Sequence, residues 1–194
     1  MAPPLFCARK RRTATELQPC NLHEAIRRAS AVITTGGTAK NRPVPEIVEE
    51  FDPSLPPVLG NADALVQVLI NLLANAADAA RGAAVPRIVI RTRFASGLQL
   101  HRTNDGSAVR LPIELRVSDN GPGVDLALRD HIFEPFVSSK KSGQGLGLAL
   151  VRRLVSDMNG RINHDRDLAG GWTHFRVHLP VADTRRRPQR EQAA

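Results

Sequence analysis

Residues 61–81 constrain this chain more than any other stretch. Ala, Leu, Val and Ile run through it, interrupted at near-regular intervals by Gln67, Asn71, Asn75 and Asp78. Wound at about 100° per residue, the stretch predicts one long helix. Leu65, Leu69, Leu72, Leu73, Ala76 and Ala80 then share a broad apolar side. The four polar residues form a narrow stripe opposite. The flanks between are mostly alanine, valine and isoleucine, so the helix is expected to be buried nearly all round. Asn61 or Asp63 is placed to cap its start. Asparagine is a mediocre helix former and costs free energy when buried unpaired. Two asparagines one turn apart on such a helix need partners: neighbouring backbone, or something that the stripe faces.

The chain has 194 residues, enough for one domain with at most a short appendage, and its 42% hydrophobic content suffices for a core. Cys7 and Cys20 are too few for a disulfide framework or a metal site, which fits a reducing compartment. Neither a signal-peptide pattern nor an apolar run of about 20 residues is present, so a soluble cytoplasmic chain is expected. The net charge of +8 sits at the ends. Arg9, Lys10, Arg11 and Arg12 form one cluster and Arg185, Arg186, Arg187 and Arg190 another, leaving the body near neutral. That distribution describes solvated tails and argues against a nucleic-acid function.

Asn21 to Ile33 predicts an amphipathic helix, with Asn21 as cap, Glu24 three residues on, and Gly36-Gly37 as its end. Glu46 to Phe51 alternates as a strand, and Pro53 to Gly60 is a proline-rich connection into the central helix. Pro86 to Phe94, Leu98 to Arg102 and Leu111 to Val117 predict three strands, with a turn at Asn104–Ser107. A short helix is expected at Asp125–Asp130, an amphipathic helix within Gly143–Met158, and a closing hairpin of Gly160–Asp165 and Trp172–Leu179. This order implies a two-layer α/β sandwich with a mixed, mostly antiparallel sheet.

Two places carry chemistry. A strand delivers Asp119 to its end, followed by Asn120-Gly121-Pro122-Gly123. An ionised aspartate there is acceptor-only and suits an exocyclic amine such as that of adenine. The same letters also make an ordinary turn. Farther on, Gly143, Gly145 and Gly147 alternate with Gln144, Leu146 and Leu148 at the opening of a helix. Exposed N–H groups and the positive end of the helix dipole make that a phosphate cradle. It lacks the Lys-Ser/Thr ending of a P-loop and the leading strand of a Rossmann fingerprint. The Ser/Lys-rich residues 137–143 between are either a solvated loop or a mobile lid.

Taken in order, Asn71-Leu72-Leu73-Ala74-Asn75-Ala76, Asp119-Asn120-Gly121-Pro122-Gly123, Phe133-Glu134-Pro135-Phe136 and Gly143-Gln144-Gly145-Leu146-Gly147-Leu148 resemble the N, G1, F and G2 boxes of sensor histidine kinases, within the GHKL superfamily. The resemblance covers about 15–180 and is greatest to the nitrogen-regulation and dicarboxylate-sensing kinases. It implies a Bergerat-type ATP-binding fold over residues 15–181. Residues 1–14 would be a flexible remnant of an upstream helical hairpin, and 182–194 a basic disordered tail. It implies ATP and Mg²⁺ as cofactors, with Asn75 giving an oxygen to Mg²⁺ and Asn71 beside the phosphates. Asp119 would accept from the adenine amine, with Gly121 and Gly123 letting the loop pass near the base. Gly143, Gly145, Leu146, Gly147 and Leu148 would flank the triphosphate, with Asp78 on the ATP-binding stripe. Lys140 would reach the γ-phosphate, while Phe133 and Phe136 would anchor the lid by packing. The implied partners are the dimerising phospho-acceptor helices of a histidine kinase and, through them, a response regulator.

Some residues depart from that pattern. Asn61 stands where aspartate is common, and Trp172 where a small residue is usual. No phospho-accepting His-Glu precedes the domain; Leu5 to Lys10 looks like the tail of the hairpin that would carry it. His23-Glu24 lacks the following Asn-Pro and reads as part of a capped packing helix. The expected activity is transfer of the ATP γ-phosphoryl to a histidine supplied in trans. The alternatives are a GHKL-type ATPase and a non-catalytic ATP-holding remnant that docks to a partner.

Overall fold

A computed structural model describes residues 16–39, 45–95, 99–101, 108–138 and 144–182. In chain order the elements are β1 (Gln18–Cys20), α1 (Leu22–Ala39), β2 (Glu46–Glu50), β3 (Val58–Gly60), α2 (Ala62–Ala80), β4 (Arg87–Phe94), β5 (Gln99–His101), β6 (Ala108–Arg110), β7 (Ile113–Asp119), α3 (Gly147–Asp157), β8 (Arg161–Asp167) and β9 (Trp172–Leu179). Five strands form the main sheet in the order β2-β4-β7-β9-β8. Within it, β2 and β4 run parallel and the remaining neighbours antiparallel. α2 packs on β4 and β7, α3 on β8, and α1 on α2. The result is the expected two-layer α/β sandwich.

The pattern of side chains builds these layers. Along β9, Thr173, Phe175, Val177 and Leu179 are buried while the residues between are half-buried, the period of two that a strand with one core face requires. α2 turns Leu65, Val68, Leu69, Leu72, Leu73, Ala76 and Ala80 into the core. Each fully buried leucine contributes about 1.5–3 kcal/mol. Asn61 caps the helix, its Oδ1 accepting from Ala64 N–H at 2.9 Å. Asn21 likewise accepts from Glu24 N–H at the start of α1, at 3.2 Å.

Several expectations change. α2 is not buried all round: Gln67 is exposed, and Asn71, Asn75 and Asp78 are half-buried. α1 continues through Gly36-Gly37 to Ala39. Two glycines cost about 1 kcal/mol each, less than helix propagation and the packed earlier turns sustain. Asp125–Asp130 is a run of turns, with Leu128 N–H donating to Asp125 carbonyl and Arg129 N–H to Leu126 carbonyl, and not a helix. β6 pairs with β5 as a small hairpin, whose expected turn at 104–107 lies outside the described residues.

β1 and β3 pair where none was expected. Leu59 N–H donates to Pro180 carbonyl and Ala182 N–H to Pro57 carbonyl, both at 2.9 Å. This clasp joins the beginning and end of the described fold. Ala182, read from sequence as the start of the tail, is 4% exposed and packs in that clasp.

Candidate functional site

α3 begins against the polar stripe of α2. A Cβ on Gly147 would come within 3.2 Å of Asn71 Oδ1 and 4.0 Å of Asn75 Nδ2, so a side chain there would crowd the stripe. Asn71 Nδ2 donates to the Gln67 carbonyl at 2.8 Å, which leaves Oδ1 toward Gly147. Leu146 stands at the N-cap with no side-chain capping bond. The N–H groups of the first turn therefore point outward at the positive end of the dipole. Gly145 has φ of +65°, and a Cβ there would lie 2.5 Å from the Phe136 carbonyl carbon. Phe136 N–H donates to the Gly145 carbonyl at 3.1 Å. That crossing of two backbones ties the segment before α3 to the turns that precede it.

Asp119 ends β7 and is 2% exposed. Its Oδ1 accepts from Gly121 N–H at 3.0 Å, and no donor among the described residues is bonded to Oδ2. Burial pushes its carboxyl up to about 6, partly offset by the Gly121 N–H and the charge of Arg166. A carboxylate so placed gains from any further donor brought to it. Asn120 faces away and pins the loop. Its Oδ1 accepts from Arg87 N–H at 3.0 Å and its Nδ2 donates to Val85 carbonyl at 2.8 Å. A Cβ on Gly121 would sit 2.6 Å from the Ala79 carbonyl oxygen, so the loop rests directly on α2.

These parts enclose a cavity of about 480 Å³, a size suited to a small-molecule ligand. Of the sequence-predicted residues, Asn75, Asp78, Asp119, Gly123, Gly145, Leu146, Gly147 and Leu148 lie on its wall. Asn71 stands behind Gly147. Gly121 is turned to α2, so its missing side chain serves that packing before any ligand. Phe133 is off the wall, edge-on to His164 and Phe175 at 6.0 and 6.4 Å between ring centres. Phe136, expected to anchor by packing, is 80% exposed; its backbone, not its ring, makes the contact. Lys140 and Gly143, with the rest of 139–143 in the expected lid, lie outside the described residues.

The structure adds wall residues that sequence reasoning missed. Val124, Leu128, Ile132 and Phe175 make one end apolar, beside Thr173 and Asp119. Alternation along β9 is the signal that could have put Thr173 and Phe175 on one face, but only the register shows Thr173 opposite Asp119. Arg166, opposite Thr173 on β8, was also missed. One end of the cavity thus offers an acceptor beside an apolar slot, the other outward N–H groups fit for an anion, and amide side chains lie between.

Residues 60–183 match the family model described as histidine kinase-, DNA gyrase B-, and HSP90-like ATPase. The sensory histidine kinase/phosphatase NtrB of Rhodobacter capsulatus is 46% identical over 86% of this chain and 44% of that protein. This chain spans less than half the length of the curated relatives it matches. Among solved structures, full-length ShkA in complex with AMPPNP aligns with a TM-score of 0.64 at 26% identity, over 86% of this chain and 32% of that one. The mycobacterial sensor histidine kinase MprB shares the fold, with a TM-score of 0.65 at 24% identity over 84% of this chain and 97% of that one. The matched span holds the whole described cavity wall, and the chain belongs to the family of histidine kinase-, DNA gyrase B-, and HSP90-like ATPases.

Proposed function

We propose that this chain is the ATP-binding catalytic domain of a two-component sensor histidine kinase, acting in the cytoplasm on a histidine supplied in trans. One observation carries the reading: the buried Asp119 acceptor and the uncapped start of α3 open onto the same cavity, with the asparagine stripe of α2 between them. An adenine amine fits the first and phosphates the second. The relative named sensory histidine kinase/phosphatase and the neighbour solved with AMPPNP, an ATP analogue, support the same assignment.

In this reading Asp119 accepts from the adenine amine while the ring lies among Val124, Ile132 and Phe175. The N–H groups at Gly145, Leu146, Gly147 and Leu148 hold phosphate oxygens, with Asn71 and Asp78 alongside and Lys140 and Gly143 contributing from the lid. Among the described residues no group of three His, Cys, Asp or Glu could hold a metal. A single oxygen from Asn75 suits Mg²⁺, which would be shared with the phosphates and would neutralise their charge. The chain's part in transfer is positioning. The acceptor imidazole forms a bond to the γ-phosphorus, the bond to the β–γ bridging oxygen breaks, and ADP leaves. Phe136, Leu146 and Leu150 are exposed apolar residues at and beside the start of α3, where an acceptor helix would approach. No helix among the described residues is long and apolar enough to cross a membrane.

The test supplies a separately purified His-containing helical hairpin of a nitrogen-regulation kinase. Labelled ATP and this chain are expected to give an acid-labile, base-stable phosphate on the hairpin and none on the chain. A label on the chain itself would contradict the proposal.

A further inference from the structure

Arg166 belongs to the inward face of β8 and reaches across two strands. Its Nη1 donates to the Gly121 carbonyl and to Thr173 Oγ1, each at 2.8 Å. A Cβ on Gly123, which has φ of +92°, would lie 3.2 Å from the Arg166 Nε, so the side chain runs along the loop. Asp119, Thr173 and Arg166 stand directly opposite one another on β7, β9 and β8, a single row across the sheet. Because Thr173 Oγ1 accepts from Arg166, its own proton remains for an acceptor on another side, and Thr173 lines the cavity.

We propose that Arg166 is a positioning residue for the adenine end of the cavity, bracing the Gly121–Gly123 loop, orienting the Thr173 hydroxyl and keeping Asp119 ionised as an acceptor. This rests on the nucleotide-binding reading above. Among the described groups around Asp119, Arg166 is the one cation, acting beside the Gly121 N–H. Ile88 on β4 is apolar, Thr173 on β9 is neutral, and Asp78 on α2, which lines the same cavity, is acidic. The Gly121 N–H supplies a hydrogen bond but no net charge. Burial raises the Asp119 carboxyl to about 6; the Gly121 N–H counters it first, and Arg166 adds the one opposing positive charge among these neighbours. Without that cation the carboxylate would lose its proton only at higher pH, and its value as an acceptor near neutrality would fall.

The experiment measures Mg·ATP affinity from pH 5 to 8 for wild type, Arg166→Gln and Arg166→Lys. Differences from wild type cancel the titration of the nucleotide's own phosphates. Arg166→Gln is expected to bind about fivefold or more weakly at pH 7, with its low-pH midpoint moved upward. Arg166→Lys, which keeps the charge, is expected to restore the midpoint. An unchanged affinity and midpoint in Arg166→Gln would overturn the proposal. So would weaker binding with an unmoved midpoint, which bracing alone would produce. Should Arg166→Gln fail to fold, Thr173→Val removes one of the same bonds while keeping the charge, and is expected to weaken binding without moving the midpoint; a moved midpoint there counts against the proposal. Failure of wild type to bind nucleotide would instead reject the underlying reading.

Discussion

At Asp119 burial and chemistry oppose each other. Its carboxyl is raised from 3.8 to about 6, first by desolvation. The native chain holds this proton more tightly than the unfolded chain, so stability falls as pH rises between those values. The contribution is fully present below the unfolded value and is gone above about 6. At neutral pH the carboxylate therefore costs the empty protein on the order of 1–3 kcal/mol. Asp119→Asn is expected to resist urea better than wild type near neutrality, with the difference vanishing only below about pH 4. The same variant is expected to bind Mg·ATP about tenfold or more weakly, because its amide presents a donor to an amine. Urea melts at two pH values and one nucleotide titration check this. A variant that gains no stability and loses no affinity would remove Asp119 from the site.

Between elements, the tightest constraint is the seat of the Gly121 loop on α2. An added Cβ would meet the Ala79 carbonyl carbon and oxygen at 2.6 Å and the Ala79 Cβ at 2.9 Å. Backbone on both sides cannot give way as a flexible side chain would. The same loop carries the Arg166 bond at Gly121 and follows Asp119, so a shift there moves the Asp119 end of the cavity. Gly121→Ala is expected to lose about 1–3 kcal/mol of stability and to weaken nucleotide binding. Gly82, just past the end of α2, has nothing within 4 Å of its added Cβ, and Gly82→Ala serves as the neutral control. Denaturant midpoints compare the two variants, and equal midpoints would mean that the loop lifts off α2 without cost.

For the whole molecule, the question is whether phosphate leaves to a partner or to water. Hydrolysis needs a positioned water and a base, work suited to a carboxylate. One turn before Asn75, where a carboxylate could act as that base, this chain has Asn71. The Asn71 amide is no base, and its nitrogen is bonded to the Gln67 carbonyl. Asp78 lines the cavity but forms an ion pair with Arg81 at the end of α2. The purified chain is therefore expected to bind Mg·ATP with negligible steady turnover, measured as released phosphate. Sustained release that Asn75→Ala abolishes would favour the ATPase reading over the kinase one.

What could be read from sequence is what short-range physics decides. The period of α2, its Asn61 cap, the alternation of β4 and β9 and the glycines before α3 depend on neighbours a few residues apart, and each was legible. So was the Asp119 loop, because a strand end followed by glycines is a local pattern. The tertiary structure alone decided what depends on distant contacts. β1 and β3 are three residues each, too short to show a period, and exist because they pair with one another and with the chain near Pro180. Phe136 carries an apolar side chain that local reasoning buries, yet the Gly145 crossing leaves its ring outside. Arg166 reaches a carbonyl 45 residues away, and the register that sets Thr173 opposite Asp119 is fixed by strand pairing, not by any spacing along the chain. Periodicity and capping act within a turn or two of backbone. Register, burial and close approach are settled only when the layers meet, because each depends on the side chains and backbone of another segment.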